Sequence, residues 1–169
     1  MSVWISWPAE FTLSQTPDFT KRFPLLGPHK CLGIVSPATG EYNCFAWAAS
    51  ATDVRWEPDP QDQYYWPDGV PREYSLPAFT SAYRTIGFEV CDNDAMEPGF
   101  EKIAIYSVGG FPLHAARQLD DGNWTTKFGD WEDVQHIDLE SLNGPRYGAP
   151  STYMKRIKVR SLPPIPAPV

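Results

Sequence analysis

Cysteine and histidine are scarce in this sequence, with three of each among 169 residues. Cys31, Cys44 and Cys91 form an odd, widely spaced set, which makes no disulfide framework. A reducing, cytoplasmic setting is expected from that usage. His29-Lys30-Cys31 resembles half of a zinc site, but no second pair stands at ligand spacing, so no metal and no cofactor is expected. Basic residues are also in deficit, 14 against 21 acidic ones, for a net charge of −7. That balance argues against nucleic acid and against an anionic membrane surface as partners. No apolar run approaches the ~18 residues of a membrane span. The opening MSVWISWPAEF lacks the basic region of a secretory signal.

What is abundant is proline, with 18 residues against 12 glycines, and aromatic side chains, at 14% with seven tryptophans. With hydrophobic residues at 42%, wholesale disorder is excluded. A single domain of this length buries roughly two thirds of its unfolded surface and needs no staple. Pro8, Pro17, Pro24, Pro28 and Pro37 divide residues 1–40 into pieces too short for long elements, so this part is expected to wrap the domain as loops and turns. The core is expected over 41–160. Residues 161–169, with Pro163, Pro164, Pro166 and Pro168, read as an extended tail.

Within the core, Asn43-Cys44-Phe45-Ala46-Trp47-Ala48-Ala49-Ser50-Ala51 is free of glycine and proline and rich in alanine. It predicts a buried central helix, with Asn43 as its N-cap and Cys44 at the first helical position. Residues 55–74 form a proline- and aromatic-rich loop, in which Trp66 begins a candidate substrate-facing rim. A second helix is predicted from the Ser75 cap and Pro77 to about Ile86, stopped by Gly87. The period then changes to two. Strands are expected at 88–91, 102–108, 113–119, 123–128 and 152–159, with a hairpin at Asp120-Asp121-Gly122 and a helical turn near 138–142. Two helices followed by antiparallel strands give an α+β fold with a sheet of about four to five strands.

A cysteine at a helix start is chemically special, because the aligned amides favour thiolate over thiol and can hold an oxyanion. Catalysis by that thiol needs an imidazole to take and return a proton. His114 opens a strand after the Gly109-Gly110-Phe111-Pro112 loop and is the expected general base. The group that orients it is left open among Thr126, Asp130, Glu132 and His136, since a charged Lys127 cannot accept a hydrogen bond from an imidazole. Asn43 could also donate to an oxyanion. Trp47, Trp66, Lys127, Glu132 and His136 are candidate substrate-facing residues. The simpler expectations are a core role for Cys44, a surface turn for His136, a solvated turn for Asp130-Trp131-Glu132-Asp133, and for Lys127 an ion pair with an acid such as Glu101. Arg117, three residues beyond His114, is expected on the opposite side of the strand.

The stretches YNCFAWAAS, YYWPDGVPREYSLPAF, EPGFEKIAIY and HAARQLDDGNWTTKFGDWEDVQH resemble an uncharacterised bacterial family, a domain of unknown function, over residues 41–158. More loosely, N-C-x-A-W-A followed by H-A-A-R-x-L and T-K-x-G resembles the papain-like fold of NlpC-type cell-wall peptidases and their amidase and deamidase relatives. The second resemblance implies Cys44 as nucleophile and His114 as base and acid, acting on an amide, ester or isopeptide bond of a protein or peptide. It also implies a polar residue on the strand after the histidine. The rival expectation is a non-catalytic protein-binding module, such as an immunity, adaptor or inhibitor protein, that uses the 55–74 loop and the tail. Oligomeric state is not legible.

Overall fold

The computed structural model describes residues 23–27, 30–36 and 38–159. The expected wrap over 1–22, His29 and the proline tail lie outside the described residues.

The elements in chain order are strand β1 (Cys31–Ser36), helix α1 (Cys44–Ala48), helix α2 (Leu76–Arg84), and strands β2 (Glu89–Cys91), β3 (Phe100–Val108), β4 (Phe111–Gln118), β5 (Trp124–Lys127) and β6 (Asp133–His136). A 3-10 turn (Glu140–Leu142) and strand β7 (Ala149–Ile157) complete the domain. All strand pairs are antiparallel, in the order β1-β6-β5-β4-β3-β7-β2. This is an α+β architecture, but its sheet has seven strands where four to five were expected. The difference lies mainly in β1 and β6. Cys31–Ser36 sits in the segment expected to be loops, and Asp133–His136 starts at the last residue of the acidic run 130–133 expected to be a solvated turn. Each is too short to carry a clear period, and the two pair with each other at one side of the sheet.

Both helices among the described residues lie on one face of the sheet. Alternation along β3 and β4 puts Ile103, Ile105 and Ala115 on this face, where they pack with Cys44–Ala48 of α1 and with Phe79 and Tyr83 of α2. Ala46 and Ala48 have no exposed surface, so the alanines let the short helix lie close on the strands. Ser75 caps α2 by accepting from the Ala78 amide at 3.2 Å. The Tyr83 hydroxyl donates to the Phe45 carbonyl at 2.9 Å, tying the two helices together. Phe79 meets Phe45 edge-on at 4.6 Å and Trp66 at 5.0 Å. Burial of each such ring contributes about 1.5–3 kcal/mol.

The opposite face carries Ala104, Tyr106, Ala116, Trp124 and Val134, covered by Phe23, Leu26, Leu139, Leu142 and Tyr147. The connection 55–74 is an ordered loop. Asp59 accepts from the amides of Gln63 at 2.7 Å and Tyr64 at 3.2 Å, and Arg72 donates to the Asp59 carbonyl at 3.0 Å.

Candidate active site

The sheet is split next to the start of α1. Strands β4 and β5 pair only through Arg117↔Thr125 and Gln118↔Trp124, so residues 111–116 of β4 have no ladder partner on that side. Helix α1 packs across both strands. At the other side of β4 a bulge falls between Tyr106↔His114 and Ser107↔Pro112, leaving Leu113 as the extra residue. Bulges of this kind re-aim side chains beside functional sites.

Cys44 sits where the helix start meets the split. Asn43 caps the helix, accepting from the Ala46 amide at 3.1 Å. Its side chain also accepts from the Trp56 amide at 3.1 Å and donates to the Trp56 carbonyl at 2.9 Å. The cap therefore forms as expected, and the same side chain also holds the Trp56 backbone. The backbone amide of Ala115, the residue after His114, lies close enough to Cys44 to favour its thiolate form. Burial nevertheless pushes the thiol up to about 11, against the lowering effect of the Ala115 and Phe45 amides and the Arg55 charge. The expected low-pKa thiolate is thus corrected: a five-residue helix has too little dipole and too few free amides to outweigh desolvation. Cys44 is only 8% exposed, yet it forms part of the wall of a cavity of about 340 Å³ shared with Arg55, Leu113, Asp130, Arg146 and Tyr147.

His114 is fully buried. As the cross-strand partner of Tyr106 it projects onto the Tyr106 face, whereas Cys44 belongs to the helix face. Among the described residues no hydrogen bond joins them: Nε2 of His114 meets Thr126, and Nδ1 has no partner. The structure therefore brings His114 together with Thr126 and His136, and sets Cys44 one residue along the strand, across the split.

The histidine cluster has a fixed polarity. His136 Nδ1 lies 2.7 Å from the Asp138 carbonyl, which only accepts, so Nδ1 carries the hydrogen. Burial holds His136 down to about 4, partly offset by that carbonyl and by the Asp138 charge, so the ring is neutral and its Nε2 is bare. Nε2 accepts from the Thr126 hydroxyl at 2.9 Å. The hydroxyl has one hydrogen, so its oxygen accepts from His114 Nε2–H at 3.2 Å. His114 Nδ1 is left as a buried lone pair with nothing bonded to it. Burial, and then His136, hold His114 well below the ordinary imidazole range. Tyr147 stacks on the His114 ring at 3.9 Å and 6°, and its other surroundings include the cavity.

The remaining candidates fall elsewhere. His136 is completely buried, which corrects the expectation of a surface turn. Asp130 is exposed and pairs with Arg55 at 2.9 Å. It is far from an orienting role, since Thr126 occupies that position on His114. Glu132 is half-buried, and among the described residues only its backbone carbonyl is engaged, by the Phe128 amide. Asp133 is fully buried; one carboxylate oxygen accepts from Ser36 and, at 2.6 Å, from Tyr42. Lys127 pairs neither with Glu101 nor with solvent. Its ammonium is caged by the carbonyls of Thr39 at 2.8 Å, Gly129 at 2.7 Å and Trp131. Trp47 is buried, donates to Thr125 at 3.1 Å, and lies under the Arg117 guanidinium at 4.9 Å, so Arg117 does face away from His114. Trp66 is a core residue donating to the Pro71 carbonyl, which corrects its placement on a substrate rim.

Sequence reasoning missed Arg55, Arg146 and Tyr147. The last two stand in Gly144-Pro145-Arg146-Tyr147-Gly148, whose flanking glycines exchange two backbone bonds of 3.1 and 2.9 Å. A proline between two close glycines signals a closed turn, but nothing local says what the turn faces. Among the described residues no group of three or more His, Cys, Asp or Glu could hold a metal ion, and no helix is long and apolar enough to cross a membrane. A family model described as a domain of unknown function, DUF7689, matches residues 33–155, and the chain belongs to that family. No curated protein and no solved structure matches it.

Proposed function

We propose that this DUF7689 domain is a papain-like cysteine hydrolase or acyltransferase, with Cys44 as nucleophile and His114 as proton acceptor. One observation carries the reading. Cys44 sits at the split in the sheet beside the amide of Ala115, which favours its thiolate, and the preceding residue is a buried histidine whose Nδ1 has no hydrogen-bond partner among the described residues. An unsatisfied buried acceptor at the end of a polarised chain is rare outside functional sites. Thr126 supplies the orienting contact that the strand after the histidine was expected to supply, with His136 behind it. The thiol and imidazole are both neutral at rest, so the thiol gives up its proton only as it attacks. Sulfur bonds to the substrate carbonyl carbon and its proton passes to His114 Nδ1 across the split by way of one water, since the two groups share no hydrogen bond. That proton then leaves with the departing amine or alcohol, giving an acyl-thioenzyme that water or an amine resolves. The bond attacked is an amide, ester or isopeptide. The odd, widely spaced set of three cysteines fits a reducing, cytoplasmic setting.

The test is turnover of p-nitrophenyl esters and peptide aminomethylcoumarin amides. The wild type should release product and pass through an acylated Cys44 detectable by intact mass. Cys44→Ser and His114→Ala should each lose activity by at least about a hundredfold while Cys44→Ser keeps its thermal transition. Turnover undiminished in Cys44→Ser ends the reading.

A second reading is favoured by one surface. Phe111 and Tyr74 stack at 5.4 Å and 10° while both remain exposed. From Tyr74 the chain of contacts runs through its bond to Glu57, then Arg55, to the Tyr64 ring. A strip of rings and charges leading to the cavity suits a protein-binding module. A stoichiometric complex unaffected by Cys44→Ala but lost in a Tyr74→Ala/Phe111→Ala variant would establish it.

A further inference from the structure

We infer that the cavity beside Cys44 recognises a carboxylate through Arg146, so that the group presented to the thiol belongs to an acidic peptide. Binding stands independently; only the conversion that follows rests on the thiol-hydrolase reading.

The cavity contains two arginines and one acid in a protein of net charge −7. Arg55 is neutralised: it bonds Glu57 at 3.0 Å, Asp130 at 2.9 Å and the Gly40 carbonyl at 3.2 Å. Arg146 has no ion pair or hydrogen bond among the described residues, and it is exposed at the cavity wall. In a chain where acids outnumber bases, and where the other guanidinium in this wall is taken twice over, an unpaired arginine facing a cavity is a vacant anion receptor. A guanidinium offers two parallel N–H bonds to a carboxylate.

The backbone holds this arginine in place. The reciprocal Gly144–Gly148 bonds close the turn, and Tyr147, the neighbouring residue, is anchored on the His114 ring. Gly148 has φ +73, and a Cβ there would collide with the Ser107 carbonyl, so the turn depends on glycine at that position. A side chain carried on a fixed backbone turn has less space to search than one on a mobile loop. The apolar part of the wall, Leu113 and Tyr147, suits the methylene stem or backbone that would accompany an acidic side chain. Asp130 disfavours a highly charged anion there, which points to a carboxylate.

Three probes distinguish the sources of the carboxylate. N-acetylglutamate α-amide carries it on a side chain, N-acetylglutamine carries it at a chain end, and inorganic phosphate replaces it. Each is titrated into the 15N-labelled full chain while the amides of Arg146, Tyr147 and Gly148 are followed. One of the two acids should saturate these shifts, with at least about tenfold weakening in Arg146→Gln and partial retention in Arg146→Lys. Whichever acid saturates identifies the position of the carboxylate. Saturation by neither acid, by phosphate alone, or undiminished in Arg146→Gln overturns the inference. A second measurement reads the thiol. The rate ratio of iodoacetate to iodoacetamide at Cys44, relative to N-acetylcysteinamide in the same tube, should exceed one by about tenfold and fall to one in Arg146→Gln. A Cys44 inert to both reagents would count against the hydrolase reading and leave the titration to decide carboxylate recognition. Turnover of neutral esters without any carboxylate preference would count against this inference and leave the hydrolase reading standing.

Discussion

The two faces of the sheet are built by different physics. On the helix face, alanines and aromatic rings pack with little polar content, and the few hydrogen bonds there run from side chain to backbone or to a hydroxyl. On the other face, two imidazoles and a threonine form a directed chain within an apolar shell of Tyr106, Tyr147, Leu139 and Leu142. The first face draws its stability from burial, which is indifferent to pH. The second depends on its two bases staying neutral. The split between β4 and β5 is where the two meet, and it is also where the thiol lies.

The strongest way to separate the faces is to damage the first. Phe79→Ala removes a fully buried ring from between Phe45 and Trp66, and should cost about 3–5 kcal/mol in urea unfolding, equally at pH 7.5 and pH 5. A pH-dependent loss would show that the faces are coupled.

Acid attacks the second face. In the unfolded chain an imidazole takes its proton below 6.5, whereas native His136 stays neutral until about 4 and His114 is also held well below 6.5. The unfolded state therefore binds more protons in this window, so stability is whole above 6.5 and lost as the pH falls toward 4. Between pH 7.5 and 5 the two rings should withdraw about 2–4 kcal/mol, measured by denaturant titration. A flat profile over that interval refutes the neutral cluster. The lowered carboxyl of Asp138 acts only at still lower pH.

Two adjacent threonines sharpen the contrast. Thr126→Val leaves His114 Nε2–H and His136 Nε2 unpaired in the interior and should cost about 2–3 kcal/mol with an altered acid profile. Thr125→Val breaks the bonds to Trp47 and to the Val134 carbonyl on the helix face, costs about 1–2 kcal/mol, and should leave the acid profile unchanged. The smallest effect is expected at Arg146→Gln, within about 0.5 kcal/mol in the same titration, because its side chain supports nothing in the fold. A larger loss there would mean that Arg146 has a structural partner.

The contrast also explains what could be read in advance. The α1 cap at Asn43, the α2 cap at Ser75 and the 120–122 hairpin are local rules, and each was legible from a few residues. Strands β1 and β6 were not: β1 owes its existence to a partner about 100 residues away, and four-residue β6 is too short to show a period beside the acidic run before it. The candidate site divides in the same manner. Cys44 and His114 stood out by position, and Thr126 was among the open choices. Which face each side chain takes depends on the bulge at Leu113, and a one-residue change of alternation reverses it.

By itself, the sequence determined the chemistry available to this protein: one cysteine behind a helix cap, one histidine shortly after a Gly-Gly turn and not, as expected, at the start of its strand, three widely spaced thiols, an excess of acid. It also determined the caps and turns, because those energies act within four residues. Only the tertiary structure decided that the thiol would be desolvated and neutral, that His136 would lie buried behind Thr126, and that Arg146 would face a cavity with no acid of its own. Burial and through-space partnership set protonation and vacancy, and both arise from contacts between segments far apart along the chain.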